Sequence, residues 1–157
     1  MNLKSKRILV TGGAKRIGRT ICSVFAGEGA KIIIHYFKSE KEALELLHDI
    51  GGEDAGHSIL KCDLADKNSY KKIIKECPDV NVLINNASSF TRDSWISLDH
   101  DISRKQFEVN FWTPVSIIAK FAETENALCA INILDSRTVA TNCVQGSYEL
   151  SKKALGL

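Results

Sequence analysis

Five short apolar segments, separated by segments with helical periodicity, constrain the fold of this chain more than any other feature. Apolar residues in these segments are largely contiguous, whereas a half-buried strand alternates apolar with polar positions. Contiguous apolar strands are typical of parallel sheets whose two faces are both covered by helices. We therefore predict an α/β fold with strands at residues 7–11, 31–36, 58–64, 79–87 and 127–134.

The segments between these strands define the expected topology. Right-handed crossovers favour a doubly wound, Rossmann-like parallel sheet in the order 3-2-1-4-5. Ser39 followed by Glu42 predicts a capping box at the second helix, and Pro114 predicts a kink or a late start in the fourth. No linker or repeat interrupts the pattern, so residues 1–157 are predicted to form a single domain. The predicted helices cover residues 18–28, 39–50, 68–77, 102–122 and 148 onwards.

The bulk composition argues against several classes of function. The chain has 157 residues, of which 44% are apolar and 25% charged, as in an ordinary globular protein. A net charge of +2 gives no basis for binding nucleic acid or an anionic membrane. The sequence contains no signal-peptide pattern at its start, no long apolar run and no metal-ligand spacing among its five cysteines. We expect a cytoplasmic protein that binds a small molecule and no metal.

The turn between the first strand and the first helix reads TGGAKRIG, residues 11–18. Its glycines permit a tight turn, and the helix that follows offers unpaired N–H groups to a pyrophosphate. The same turn resembles a P-loop, because Gly13 and Gly18 are followed by Arg19 and Thr20. Arginine is a poor substitute for the compact lysine of a P-loop, so the sequence favours a dinucleotide over a nucleoside triphosphate.

The end of the second strand, His35 to Ser39, indicates which dinucleotide is bound. An NAD-binding domain places an acidic residue near this point to bind the ribose hydroxyls. Here no acid occurs before Glu40, and Lys38, Ser39 and nearby Arg16 are donors suited to a 2′-phosphate. The segment can also be read as a polar loop and a helix cap. With the glycine-rich turn beside it, NADPH is the favoured cofactor.

Tyr148 and Lys152 are the candidate acid–base pair. Their four-residue spacing places them on one face of a helix, and a neighbouring ammonium stabilises a phenolate. Asp135, which follows the fifth strand, is predicted to lie near them at the same edge of the sheet. A tyrosine and a lysine at this spacing also occur by chance, so the pair alone is weak evidence.

Five motifs occur together in one order along the chain. They are TGGAKRIG, Asp63-Leu64, NNAS at residues 85–88, Asn110, and Tyr148-x-x-x-Lys152. With these motifs in this order, the chain resembles the classical short-chain dehydrogenases/reductases over essentially its whole length.

Departures from the usual pattern make the chain most similar to the pteridine reductases and dihydromonapterin reductases of that family. Arg16 stands where most members have a second glycine, and Asp135 stands where most have a catalytic serine. The segments HYFKS at residues 35–39 and NNASSF at residues 85–90 also resemble those of pteridine reductases. Ser136 follows Asp135 directly, so a shift of one residue in the alignment would restore the ordinary serine.

The resemblance implies an NADPH-dependent reductase that transfers hydride to a C=N bond of a pterin or dihydropterin. It implies four catalytic residues, namely Asp135, Tyr148, Lys152 and Asn110. Among them, Asn110 would support a water path to the lysine. It implies substrate contacts from Phe90, Ser88 and Arg16. It also implies cofactor contacts from Gly12, Arg16, Ile17, Gly18, His35, Tyr36, Lys38, Ser39, Asp63, Leu64, Asn86, Ala87 and Ser88.

The chain ends at Leu157, within the helix that carries Tyr148. A member of the family continues through roughly two more strand–helix units of about 30 residues each, so we expect the sheet to be incomplete at its carboxyl end. The resemblance implies a homo-oligomer for a complete member of the family, and we do not extend this expectation to residues 1–157. Two alternatives to a pterin reductase therefore stay open. One is an inactive remnant that keeps the nucleotide fold, and the other is a generic ketoreductase that uses Ser136.

Overall fold

A computed structural model describes residues 2–94, 96–136 and 146–156 of the chain. Its strands form one parallel sheet in the order β3-β2-β1-β4-β5, which confirms the predicted topology. The strands are β1 (Arg7–Val10), β2 (Lys31–Tyr36), β3 (Ser58–Lys61), β4 (Val82–Asn85) and β5 (Cys129–Asn132). The helices are α1 (Arg16–Gly27), α2 (Glu40–Asp49), α3 (Ser69–Glu76), α4 (His100–Phe107), α5 (Thr113–Ala122) and α6 (Gly146–Gly156).

Helices cover both faces of the sheet, as the contiguous apolar strands predict. On one face, Ile8, Ile32 and Ile84 pack with residues of α1 and α2. On the other, Leu9 and Leu83 pack with residues of α3 and α5. Successive strand residues point to opposite faces, so contiguous apolar residues supply both cores.

The fourth strand ends at Asn85, two residues earlier than predicted, because the side chain of Thr11 binds the main chain beyond it. The hydroxyl of Thr11 accepts hydrogen bonds from the main-chain N–H groups of Asn86 (3.0 Å) and Ala87 (3.1 Å). These two donors are therefore used at the end of β1 instead of in the strand ladder. The result is a turn that brings the loop after β4 beside the glycine-rich turn.

The single helix predicted over residues 102–122 is divided by a widened π-helical turn at Glu108–Trp112. Pro114 lies in the first turn of α5, where its missing N–H and its ring would disturb regular α-helical bonding. The wider turn accommodates the proline without breaking the helical course. Such turns often occur at functional positions, and this one contains Asn110.

The capping box predicted at the second helix is wrong. Ser39 occupies the N-cap position of α2, but its side chain makes no capping hydrogen bond. The carboxylate of Glu42 instead pairs with Lys15 at 2.7 Å. The ion pair draws this carboxylate towards α1, away from the reciprocal bond that a capping box requires.

The strand β5 leaves part of one sheet face open. Ile131 is 39% exposed, whereas Ile84, its register partner in β4, is 2% exposed.

Among the described residues, no helix is long and apolar enough to cross a membrane.

Candidate functional site

A cleft of about 600 Å³ opens at the carboxyl ends of the strands. It lies where the chain leaves β1 towards one edge of the sheet and leaves β4 towards the other. Ligands of doubly wound sheets bind at this reversal of strand order. The cleft is lined by Gly12, Lys15, Arg16, Ile17, Gly18, His35, Phe37, Lys38, Ser39, Asp63, Leu64, Asn86, Ala87, Ser88, Ser89, Lys105 and Val109.

The structure brings the predicted cofactor residues together at this cleft, with one exception. Of those residues, all of which the structure describes, only Tyr36 does not line the cleft. Its ring is buried in the core, and its hydroxyl donates a hydrogen bond of 3.0 Å to Glu40. In this structure the Tyr36 side chain therefore supports β2 and the start of α2, in place of the contact with the cleft that we predicted.

Close packing around Gly18 gives the glycine-rich turn its shape. A Cβ atom on Gly18 would lie 2.2 Å from the main-chain oxygen of Gly12 and 2.6 Å from the Nδ2 atom of Asn86. That amide nitrogen donates to the main-chain oxygens of Thr11 (2.9 Å) and Gly12 (3.1 Å). The turn is thus fastened to the loop after β4, and the positive end of the α1 dipole faces the cleft.

Arg16 has a backbone conformation that favours glycine. Its φ angle is 49°, in the left-handed region that costs a side-chain-bearing residue about 1–2 kcal/mol. This agrees with the resemblance, in which most family members have a glycine here. The chain tolerates this conformation and keeps an exposed cation on the rim of the cleft.

The P-loop interpretation of the same turn is wrong. The guanidinium of Arg19 pairs with Asp49 of α2 at 2.7 Å, and the hydroxyl of Thr20 donates to the main-chain oxygen of Arg16 (3.4 Å). Neither residue lines the cleft among the described residues. The two side chains that would bind a nucleoside triphosphate are therefore bonded to α2 and within α1 instead.

His35 holds the glycine-rich turn against the strands. Its Nδ1 atom accepts a hydrogen bond from the N–H of Gly12 (3.1 Å), and its Nε2 atom lies 3.1 Å from the main-chain oxygen of Cys62. Both contacts are satisfied together only by a neutral ring with its proton on Nε2. Burial lowers the pKa of His35 to about 4, against the opposing effects of the Cys62 carbonyl and of Asp63. The ring nitrogens are therefore engaged by the protein, although His35 borders the cleft as predicted.

This neutral histidine predicts a loss of stability in mild acid. The unfolded chain binds a proton at a pKa near 6.5 and the folded chain only near 4. The contribution of neutral His35 to the free energy of unfolding is therefore complete above pH 6.5, and it decreases by about 3 kcal/mol as the pH falls towards 4. Urea unfolding at pH 7 and at pH 4.5 measures this difference in the free energy of unfolding. His35→Gln should reduce this pH dependence, and His48→Gln, at an exposed histidine, should not. Equal pH dependence in His35→Gln and the wild type would refute the assignment.

The far end of the cleft combines a polar and an apolar wall. The carboxylate of Asp63 accepts a hydrogen bond from the N–H of Ala65 (2.9 Å). The main-chain oxygen of Leu64 accepts one from the hydroxyl of Thr113 (3.0 Å). These bonds fix the segment after β3, and Val109 of the π-helical turn also lines the cleft. Leu64 and Val109 thus supply apolar lining next to the carboxylate of Asp63.

The predicted catalytic residues meet beyond the carboxyl end of β5. The hydroxyl of Tyr148 donates to the carboxylate of Asp135 (2.8 Å), and the ring of Phe90 meets the Tyr148 ring edge-on, with centroids 4.8 Å apart. The ammonium of Lys152 donates to the main-chain oxygen of Ile133 (3.0 Å). Burial lowers the pKa of Lys152, while Asp135 acts in the opposite direction. Ser136 is exposed, so the aspartate and not the serine pairs with the tyrosine.

The side chain of Asn110 is buried and hydrogen-bonds to the loop after β4 and to α6. Its Oδ1 atom accepts hydrogen bonds from the N–H of Ser89 (2.8 Å) and the hydroxyl of Ser88 (3.3 Å). Its Nδ2 atom donates to the oxygen of Ser89 (2.9 Å) and to Ser151 (3.1 Å). A carboxamide has two donors and two acceptor sites, and all four are occupied. The side chain therefore holds the loop after β4, and the water path from Asn110 to Lys152 stays a prediction.

Sequence reasoning missed several residues of the cleft. Lys105 and Val109 reach it from one face of α4 and the turn that follows, at a spacing of four residues. Phe37 and Ser89 lie inside segments already singled out, but no pattern separates them from their neighbours. The four-residue spacing of Gln106 and Asn110 is the one signal that could have indicated a second buried amide on this helix.

Comparisons with known proteins agree with this geometry. The short chain dehydrogenase family model matches residues 6–156. FolM alternative dihydrofolate reductase 1 from Brucella canis, solved in complex with NADP, is 30% identical with a TM-score of 0.86, over 98% of this chain and 64% of that one. The Brucella suis protein, also in complex with NADP, is 32% identical with a TM-score of 0.83, over 96% and 65%.

Curated relatives show the same family at similar distance. Glucose and ribitol dehydrogenase from Daucus carota is 34% identical over 136 residues, which cover 80% of this chain and 45% of that protein. Short-chain dehydrogenase/reductase 3 from Homo sapiens is 26% identical over 143 residues, covering 85% and 47%. The chain thus spans about half the length of these relatives. Because the family model matches nearly all of it, the chain belongs to the short-chain dehydrogenase family.

Proposed function

We propose that this chain belongs to an NADPH-dependent reductase that acts on a C=N bond of a pterin or dihydropterin. The observation that carries the proposal is the contact of Tyr148 with both Asp135 and the ring of Phe90, which directly follows a residue that lines the cleft. In the proposed reaction, the tyrosine is the proton donor and the phenylalanine ring is the surface on which the substrate lies. The similarity to two alternative dihydrofolate reductases solved with NADP adds independent support.

The residues of the cleft fit a phosphorylated dinucleotide. The turn from Gly12 to Gly18 would hold the pyrophosphate, and Arg16, Lys38 and Ser39 would hold the 2′-phosphate. The remaining contacts would come from Asp63 and Leu64 at the adenine, and from Asn86, Ala87, Ser88 and Lys152 nearer the nicotinamide. When bound, NADPH supplies the hydride.

The side chains around Tyr148 supply the proton and position the substrate. Tyr148 would donate its hydroxyl proton to the substrate nitrogen as hydride reaches the neighbouring carbon, which leaves a phenolate. Lys152 stabilises that phenolate by its charge, and Asp135 orients the hydroxyl before transfer. The exposed face of Phe90 would stack on the flat heterocycle, and an aromatic pair of this kind contributes about 0.5–1.5 kcal/mol beyond buried area.

Substitution of Phe90 tests the substrate class. We expect Phe90→Ala to weaken dihydropterin binding about tenfold and to change the dissociation constant of NADPH less than twofold, because Phe90 does not line the cofactor cleft. Fluorescence titration measures both constants. Phe37→Ala is the reverse control, because Phe37 is an exposed aromatic residue that lines the cofactor cleft, and it should leave dihydropterin binding unchanged.

The rates of NADPH oxidation complete this test. Faster reduction of a simple ketone than of dihydropterin would exclude the pterin assignment and favour a generic ketoreductase. Binding of NADPH without turnover of either substrate would instead favour a chain that retains only the nucleotide site.

A further inference from the structure

Two buried side-chain amides hydrogen-bond to the main chain of the loop after β4, at alternate residues. Asn110 accepts from the N–H of Ser89 (2.8 Å) and donates to its main-chain oxygen (2.9 Å). Gln106 does the same with Thr91, accepting from its N–H at 3.4 Å and donating to its oxygen at 3.2 Å. Each amide thereby makes the two main-chain hydrogen bonds that a neighbouring strand would otherwise make to that loop residue.

The same two amides also hold α6. The Nε2 atom of Gln106 donates to the hydroxyl of Ser147 (2.8 Å), and the Nδ2 atom of Asn110 donates to the hydroxyl of Ser151 (3.1 Å). We call these contacts the polar ladder. Its first rung is Thr91–Gln106–Ser147 and its second rung is Ser89–Asn110–Ser151.

The spacing of the three segments explains why two rungs form. The rungs are two residues apart in the loop and four residues apart in both helices. Two residues of extended chain span about 6.6 Å, and one helical turn rises about 5.4 Å, so the intervals match. Phe90 lies between the two loop residues, and Tyr148 and Lys152 directly follow the two serines.

The first rung is buried at its centre and also contacts a carboxylate. Gln106 is fully buried, at 0% exposure. Asp93 is also buried, and its carboxylate accepts hydrogen bonds from the N–H of Ser147 (3.3 Å) and from the Ser147 hydroxyl. Removal of one partner leaves a buried polar group unsatisfied, which is unfavourable, so loss of Gln106 would destabilise the loop and α6 together.

We propose that Gln106 is a positioning residue, which through the first rung couples the loop that carries Phe90 to the helix that carries Tyr148 and Lys152. It sets the distance between the aromatic face and the proton donor. The choice of ligands in the second assay below rests on the proposed function, whereas the coupling itself does not.

Hydrogen–deuterium exchange of the ligand-free full chain tests the coupling. Gln106→Leu keeps the bulk of the side chain and removes its hydrogen bonds. We expect exchange to rise at least tenfold in residues 88–94 and 146–152 together, with β1, β2 and β4 unchanged. Ser147→Ala removes the hydroxyl at the α6 end of the rung, which also donates to Asp93, and should raise exchange in residues 146–152 and, to a smaller extent, in residues 88–94. Gln106→Glu, which keeps the acceptor for Thr91, should restore part of the protection in the loop.

Three results of this experiment would overturn the proposal. They are a uniform rise over the whole chain in Gln106→Leu, an effect confined to α4, and an α6 that exchanges as fast in the wild type as in the variants. If the Gln106→Leu variant does not fold, Ser147→Ala serves as the test by itself. Unchanged exchange in residues 146–152 of that variant would contradict the coupling.

Ligand titration provides the second assay. Gln106→Leu should weaken dihydropterin binding about tenfold and change NADPH binding less than twofold, and Gln106→Glu should recover part of the loss. Equal weakening of both ligands would contradict a positioning role. If the wild-type chain binds no dihydropterin, the proposed function fails, and the exchange experiment still decides the coupling.

Discussion

Gly18→Ala should abolish measurable cofactor binding. Its Cβ would lie 2.2 Å from the main-chain oxygen of Gly12, a separation that no side chain tolerates. That oxygen is held by Asn86, so relief of the clash must displace the turn or break this bond. We expect the dissociation constant of NADPH to rise at least about 100-fold and the free energy of unfolding to fall by about 2–3 kcal/mol.

The same helix offers a matched control for this substitution. A Cβ on Gly27, the last residue of α1, has no atom of the described residues within 4 Å. Gly27→Ala should therefore leave binding unchanged and stabilise the chain slightly, by up to about 1 kcal/mol. Calorimetric titration with thermal unfolding measures both quantities. If Gly18→Ala binds NADPH as the wild type does, the turn does not cradle the pyrophosphate.

Tyr148→Phe should remove most of the turnover and little of the binding. The hydroxyl is the proton donor of the proposed reaction, and its loss also breaks the 2.8 Å bond to Asp135. General acid catalysis contributes about 10²–10⁴-fold, so the rate of NADPH oxidation with dihydropterin should fall by that factor. The ring of phenylalanine preserves the contact with Phe90, and the dissociation constant of NADPH should change less than twofold.

Tyr70→Phe is the control for this variant, because Tyr70 lies on α3 and does not line the cleft. It should retain the wild-type rate. A rate in Tyr148→Phe within threefold of the wild type would show that another group supplies the proton.

The order of the sheet and most of the cleft could be predicted from the sequence because both depend on local patterns. Contiguous apolar strands require two covered faces, and the turn at Gly12 to Gly18 must follow the first strand of such a sheet. The ends of elements were less predictable. The side chain of Thr11 ends β4 from a distance of about 75 residues, and no pattern within β4 records this contact.

The roles of individual polar side chains were harder to predict, for a related reason. His35 resembles a cofactor ligand in sequence, but its partners Gly12 and Cys62 lie on two other segments of the chain. The amide of Gln106 joins Thr91 to Ser147 across 15 and 41 residues. Roles of this kind depend on three segments meeting in space, whereas a single sequence displays only spacing along one of them.

Titration of the chain with NADPH and NADH tests the central claim most directly. At about 0.05 M salt, NADPH should bind at least tenfold more tightly, because Arg16 and Lys38 line the cleft where its additional phosphate would lie and no acid ends β2. The difference should shrink as salt rises to about 0.5 M, since screening weakens exposed charges. Equal dissociation constants for the two cofactors at low salt, or no binding of either, would contradict the account.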